Sequence, residues 1–129
     1  VFCSRLGLET VQPTMSYGRT SERAGFHIMD APNNDDIQLL SGMGATGVQV
    51  ICVVTGSTLS QANPMIPTLL ISTTPDTGAD LHLSGDAAHD HQALLELCAS
   101  CVRGDYEPCL NSAELTAFQL TRGRLGCSL

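Results

Sequence analysis

Short polar segments carrying hydroxyl and carboxyl groups follow three apolar runs of the sequence. They are Asp30-Ala31-Pro32, Thr55-Gly56-Ser57-Thr58 and Thr73-Thr74-Pro75-Asp76. Turn chemistry accounts for each segment alone, since Asp, Gly, Pro and Thr are common in turns. If the three runs are parallel strands of one sheet, however, their carboxyl ends share one edge, where ligands of open α/β sheets usually bind. We therefore predict a polar site at this edge, and its candidate ligand-binding residues are Asp30, Thr55, Gly56, Ser57, Thr58 and Thr73.

A glycine-rich segment, Gly42-Met43-Gly44-Ala45-Thr46-Gly47, matches the GxGxxG pattern of dinucleotide-binding proteins. In those proteins the motif follows a strand and opens a helix, so that the pyrophosphate lies at the helix N-terminus. Here the motif is predicted to close a helix and to precede a strand. We therefore interpret its glycines as helix-cap and close-packing positions.

Cysteine and histidine residues raise the question of a metal site. Cys98 and Cys101 form a CxxC pair, and Cys109 and Cys127 follow. Metal knuckles place CxxC in a tight turn, whereas this pair falls in a helical apolar stripe, which favours buried thiols. His82, in the polar segment after the last predicted strand, is the weak metal candidate, although a solvated loop histidine is more common. A metal or redox protein remains an alternative that elemental analysis would test.

The elements expected to position these groups alternate along the chain. We predict strands over residues 25–30, 48–54 and 68–72, a helix from about residue 35 to a cap at Gly47, and a long helix over 86–103 stopped by Gly104. Residues 48–54 form a β-branched run with almost no polar alternation, which indicates a strand covered on both faces. The order of elements predicts an α/β fold with a mostly parallel, Rossmann-like layered sheet and flanking helices.

Finer patterns concern the two later helices. The long helix should bury an apolar stripe made of Leu94, Leu97, Cys98, Cys101 and Val102. Asn111 with Glu114 is the pattern of a cap for a short final helix.

Length and composition set limits on the domain and its partners. The 129 residues predict one domain over 1–129, with a poorly patterned lead-in over 1–24. The net charge is −7, with six Arg and no Lys, which disfavours nucleic acid and membrane partners. Arg19 and Arg23 could hold a carboxylate, although exposed charge is the more common role.

The cysteine count and the termini bear on the compartment. Six cysteines in a chain apolar enough to fold without disulfides predict reduced thiols and a cytoplasmic location. No apolar run approaches the ~18 residues of a transmembrane helix. The amino terminus lacks the layout of a signal peptide, and its start without Met indicates a fragment or a trimmed chain.

The segment Gly25-Phe26-His27-Ile28-Met29-Asp30-Ala31-Pro32 resembles the carboxyl-terminal domain of the galactarate dehydratase/altronate dehydratase family. In that family a Met-Asp-x-Pro turn is followed by a Gly/Ala-rich helix end and by a buried strand that runs into a Thr-Gly loop. Residues 41–47, 48–54 and Thr55-Gly56 correspond to these parts. The likeness continues through 67–72, 80–85 and 91–104. The family usually continues with Arg-Gly, whereas this chain has Ser57-Thr58.

This resemblance implies a hydro-lyase that acts on hydroxylated sugar acids such as galactarate or altronate. Such enzymes remove the proton beside a carboxylate, stabilise the enolate with a divalent metal and expel a β-hydroxyl group. Full-length members carry further amino-terminal domains, so the remaining domains or subunits and a homo-oligomer are the expected partners. The catalytic base and the metal ligands are not assigned to this chain, which is expected to be incomplete as an enzyme. The alternative is a non-catalytic assembly domain that completes a larger dehydratase.

Overall fold

A computed structural model describes residues 14–56, 61–75 and 78–119 of the chain. The elements are helices α1 (Asp36–Ala45), α2 (Ala87–Arg103) and α3 (Cys109–Ser112) and strands β1 (Ile51–Thr55), β2 (Thr68–Ser72) and β3 (Leu81–His82). The strands form one parallel sheet in the order β1-β2-β3. The predicted α/β class, with a parallel sheet and flanking helices, is therefore confirmed. The described parts of the two connections between strands are loops, so the helices lie before and after the sheet in sequence.

The central strand β2 forms the core of the sheet. All five of its residues are buried, and Leu69, Leu70 and Ile71 expose at most 2 % of their surface. Such a strand reads as a continuous apolar run because neighbours cover both of its faces. The sequence prediction of a strand over 68–72 is confirmed.

Strand β1 departs from its prediction in length and in burial. It begins at Ile51, whose N–H donates to the Pro67 carbonyl at 2.9 Å, and not at Val48. The pairing starts there because β2 itself begins only after Pro67. Cys52 and Val54 are exposed, so the prediction of a strand covered on both faces is wrong for this run. The reason is that these two side chains share one face of β1, which is left uncovered, while Ile51, Val53 and Thr55 on the other face are buried or half-buried.

The predicted strand over residues 25–30 is also wrong. This segment makes an isolated bridge between Met29 and Met15, in which the Met15 N–H donates to the Ile28 carbonyl and the Asp30 N–H donates to the Met15 carbonyl, each at 2.8 Å. Its partner is the lead-in and not the sheet. The third strand is instead β3, which lies in the segment that the sequence assigned to a polar loop. Two residues are too few to show a strand period, which explains why the sequence did not reveal it.

The two longer helices form where the sequence predicts them. The Asp35 side chain caps α1 by accepting from the Gln38 N–H at 2.9 Å, and Gly47 follows the helix with a φ of +87°. Asp86 caps α2, and Gly104 ends it in the left-handed conformation. Both ends therefore follow ordinary capping chemistry. None of the helices in the described ranges is long and apolar enough to cross a membrane.

Two finer helix predictions are wrong. Val102 was predicted to belong to the buried stripe of α2, but it is 55 % exposed. The buried face of the helix is narrower than the set of apolar residues in its sequence, and only Cys101 is fully buried. Asn111 does not cap α3 but lies within it, and Pro108 occupies the cap position. The Asn111 side chain instead accepts from the Thr68 N–H and donates to the Asn63 carbonyl, each at 3.0 Å, which ties α3 to the start of β2.

The glycine-rich motif is a packing device, as interpreted from the sequence. A Cβ at Gly42 would overlap the Tyr17 ring, and a Cβ at Gly44 would lie 2.8 Å from Asn63 Nδ2. The buried Asn63 amide donates to the Leu40 carbonyl at 3.0 Å. The absence of side chains at the two glycines thus lets the lead-in and the loop before β2 pack against α1.

Candidate functional site

The parallel register brings the carboxyl ends of the strands to one edge of the sheet. Thr55 of β1 pairs with Ser72 of β2, and Ser72 pairs with His82 of β3. Gly56 and Thr73 follow β1 and β2 directly and are exposed, while Thr55 is half-buried. The structure therefore places three of the predicted residues, Thr55, Gly56 and Thr73, at the predicted edge. Ser57 and Thr58 lie outside the described residues.

A short turn orients Thr73 at this edge. The Ser72 hydroxyl accepts from the Thr74 N–H at 3.0 Å and lies 3.2 Å from the Thr74 carbonyl, to which it donates. Serine hydroxyls stabilise turns by this kind of local bond. Because Ser72 is buried, the turn is anchored in the core while Thr73 faces outward.

Asp30 does not share this edge as a strand end. Its neighbour Met29 lines a cavity of about 290 Å³ together with Thr46, Gly47 and Val48, which precede β1. In the described part of the chain no strand pairing joins Asp30 to Thr55 or Thr73. The predicted convergence of three strand ends is thus reduced to two, because residues 25–30 pair with the lead-in. A ligand-binding role for Asp30 remains a prediction.

His82 lies in β3 and not in a loop, and its side chain is exposed. Among the described residues, no three His, Cys, Asp or Glu side chains are grouped so that they could hold a metal ion. A catalytic divalent metal needs about three protein ligands with a defined geometry. The described donor set therefore does not fit such a metal, and we derive no step through one.

The four described cysteines are free thiols, and two of them are in contact. Cys52 Sγ of β1 lies 3.7 Å from Cys98 Sγ of α2, and Cys101, one turn along the helix, is buried. Cys52 as a residue is exposed, but its thiol group is partly buried. This burial, and then the hydrogen bond with Cys98, raises the pKa of the Cys52 thiol to about 12. Since the thiolate is the reactive form, Cys52 is a poor nucleophile at neutral pH. Cys3 and Cys127 lie outside the described residues.

The Asp80 carboxylate bonds to groups from several elements, and no sequence pattern singled it out for this role. Its oxygens accept from the Leu70 N–H at 2.7 Å, the Tyr106 hydroxyl at 2.7 Å and the Cys109 N–H at 2.8 Å. Burial, and then the bond to this carboxylate, raises the pKa of Tyr106. Asp80 therefore holds β2, β3 and α3 together. Its partners are 10 to 29 residues away in sequence, so no local pattern could reveal them.

Comparison with known families gives one match. Residues 3–90, which include all three strands and α1, match the family described as D-galactarate/altronate dehydratase, C-terminal. None of the curated proteins compared with the chain matches it. The resemblance drawn from the residues is therefore confirmed, and because the match covers more than half of its length, the chain belongs to the D-galactarate/altronate dehydratase C-terminal family.

Proposed function

We propose that this domain contributes part of the substrate site of a hydro-lyase that dehydrates a hydroxylated sugar acid such as galactarate or altronate. The observation that carries the proposal is the parallel register of β1 and β2, which sets Thr55 beside Ser72 in a chain of this family. The substrate-binding residues are Thr55, Gly56 and Thr73 at the edge, together with Ser57 and Thr58, which follow Gly56 in the sequence. Residues 1–129 act as one domain.

The chemistry of the edge supports binding and not the complete reaction. Threonine hydroxyls and backbone N–H groups can bond to the hydroxyl groups of a sugar acid. Removing a proton beside a carboxylate requires strong stabilisation of the developing negative charge. Thr55, Gly56 and Thr73 carry no charge that could supply it. The cation or divalent metal and the catalytic base therefore come from the remaining dehydratase domains.

An NMR titration of the isotope-labelled chain with galactarate tests the proposal. We expect the largest amide shift changes at Thr55, Gly56 and Thr73, and weaker binding in Thr73→Ala. Ser112→Ala is the matched control, because it also removes an exposed hydroxyl but lies in α3, beside the start of β2. Shift changes confined to the amino ends of the strands would contradict this site.

A second candidate function is that of a non-catalytic assembly domain. The observation that favours it is exposed apolar surface: Val54 and Met65 are each 67 % exposed, and Leu95 is 54 % exposed. In addition, β1 has one unpaired side within the described sheet, and open strand edges readily take up another chain. The partners would be the other dehydratase domains and further copies of this chain.

Turnover measurements separate the two candidates. Dehydration of galactarate and altronate is measured with the chain alone and then with the remaining domains added. Turnover by the chain alone would exclude the assembly function. Turnover only in the mixture, unchanged by Thr55→Ala and Thr73→Ala, would favour assembly over substrate binding. Light scattering gives the oligomeric state in both cases.

A further inference from the structure

A second polar cleft lies in the segment before α1. It has a volume of about 370 Å³ and is lined by residues between Met15 and His27. Hydrogen bonds hold its wall: the Ser21 hydroxyl donates to the Arg23 carbonyl at 2.7 Å and accepts from the Arg23 N–H at 3.1 Å. His27 Nε2 lies 2.9 Å from the Ser21 and Arg23 oxygens. The loop is therefore shaped before any ligand arrives, which lowers the entropic cost of binding.

The charges of this cleft are positive in an otherwise acidic chain. Two arginines, Arg19 and Arg23, line it against one acidic residue, Glu22. Within the described residues neither arginine forms a salt bridge, whereas Arg103 is held by Asp105 at 2.7 Å. The chain as a whole has a net charge of −7. Two unpaired guanidinium groups in one cleft thus form an attractive position for an anion.

The neutral groups of the lining indicate which anion fits. Hydroxyl groups of Ser16, Thr20 and Ser21 lie beside the arginines in the lining of the cleft. Guanidinium groups bind carboxylates through paired hydrogen bonds, and serine and threonine hydroxyls both donate to and accept from ligand hydroxyls.

The geometry points to this cleft as a second binding site, for a small hydroxylated carboxylate. The choice of a sugar acid within that chemical class rests on the proposed function. The site is distinct from the edge of the sheet that carries Thr55 and Thr73. A neighbouring cavity shares Met15, Ser21 and His27 with the cleft and reaches Val48, so the cleft lies on the side where β1 begins.

Calorimetric titration of the full chain with galactarate, and with galactitol as a neutral compound of the same carbon skeleton, tests this inference. Arg19→Gln/Arg23→Gln removes both cations, and Arg103→Gln is the matched control, since it removes an arginine outside the cleft. We expect galactarate affinity to fall about tenfold or more in the double variant, because bonds between charged groups are the strong ones. Arg103→Gln should bind as the unchanged chain does, and galactitol should bind far more weakly.

A parallel titration of Thr55→Ala/Thr73→Ala separates this inference from the proposed function. Galactarate binding lost in the threonine variant but kept in the arginine variant would overturn the cleft and leave the edge site standing. Loss in the arginine variant alone would support the cleft and count against the edge. Loss of part of the binding heat in each variant supports two sites. An absence of galactarate binding in the unchanged chain would overturn both, and equal galactitol binding would overturn carboxylate recognition. Amide spectra of each variant confirm that it is folded.

Discussion

The clearest quantitative test concerns Asp80, because one carboxylate serves three elements. In Asp80→Asn the side chain keeps its shape, but one oxygen becomes an NH₂ group that donates. All the groups around it are themselves donors: the N–H groups of Leu70 and Cys109 and the Tyr106 hydroxyl. Leu70 is 2 % exposed, so its N–H cannot turn to water instead.

The expected loss follows from these contacts. A buried donor left without a partner costs about 1–3 kcal/mol, and a hydrogen bond to a charged group contributes about 1.5–3 kcal/mol. We therefore expect Asp80→Asn to lower the free energy of unfolding by about 2–4 kcal/mol, allowing for partial relaxation. This is a large fraction of the roughly 5–15 kcal/mol that stabilises a typical domain. Tyr106→Phe should lose about 1–2 kcal/mol, and its effect should shrink in the Asp80→Asn background because the two residues interact.

Urea denaturation followed by circular dichroism measures these differences. Asp105→Asn is the matched control, because its carboxylate is 62 % exposed and forms a surface ion pair with Arg103. Such pairs contribute only about 0–1 kcal/mol. Two results would refute the conclusion that Asp80 holds β2, β3 and α3 together. One is an equally small loss of unfolding free energy in Asp80→Asn and Asp105→Asn, and the other is that the losses in Asp80→Asn and Tyr106→Phe simply add in the double variant.

Two further predictions concern packing and thiol chemistry. Gly42→Ala should lower the free energy of unfolding by about 1–3 kcal/mol, because the added Cβ overlaps the Tyr17 ring, while Gly56→Ala, whose Cβ meets nothing within 4 Å, should change it little. Equal losses in urea titrations would contradict this. Alkylation of Cys52, followed by peptide mass spectrometry, should be slow at neutral pH and should accelerate only as the pH approaches the thiol pKa of about 12. Cys98→Ala should lower the pH at which this acceleration occurs. Between pH 9.0 and about 12 the Cys52 thiol keeps its proton in the folded protein but loses it in the unfolded chain, so the free energy of unfolding should fall as the pH rises through this range. Cys52→Ser should flatten this decline. An unchanged slope in that variant would disprove the linkage.

Local patterns were sufficient for the parts of the fold that local chemistry determines. The helix ends at Gly47 and Gly104 were predicted correctly because a left-handed end depends on the residue type at one position. The apolar run of β2 was visible because burial on both faces removes polar alternation. For β1 the same pattern was misleading, since an apolar run records residue type and not which faces are covered.

Long-range pairing could not be predicted from such patterns. The Met-Asp turn at 29–30 follows a strand-like run, yet its partner is Met15 and not the sheet. The two-residue strand β3 forms because Asp80 fixes the chain beside Leu70 through both its backbone and its carboxylate. Both outcomes depend on which distant segment offers hydrogen-bonding groups. The predicted site consequently kept Thr55, the last residue of β1, and Thr73, which follows β2, and lost Asp30 from the edge.

The edge of the sheet and the cleft both offer hydroxyl groups but differ in charge, and under the proposed function this difference constrains how the domain takes part in dehydration. The edge with Thr55 and Thr73 offers hydroxyl groups without a cation, while Arg19 and Arg23 line a cleft on the side where β1 begins. A sugar acid at the edge would therefore receive its charge compensation from another domain, whereas one in the cleft would receive it from this chain. If the edge is the catalytic site, the missing cation is required there and not at the cleft. In that case the edge must be the surface that faces the remaining dehydratase domains in the assembled protein.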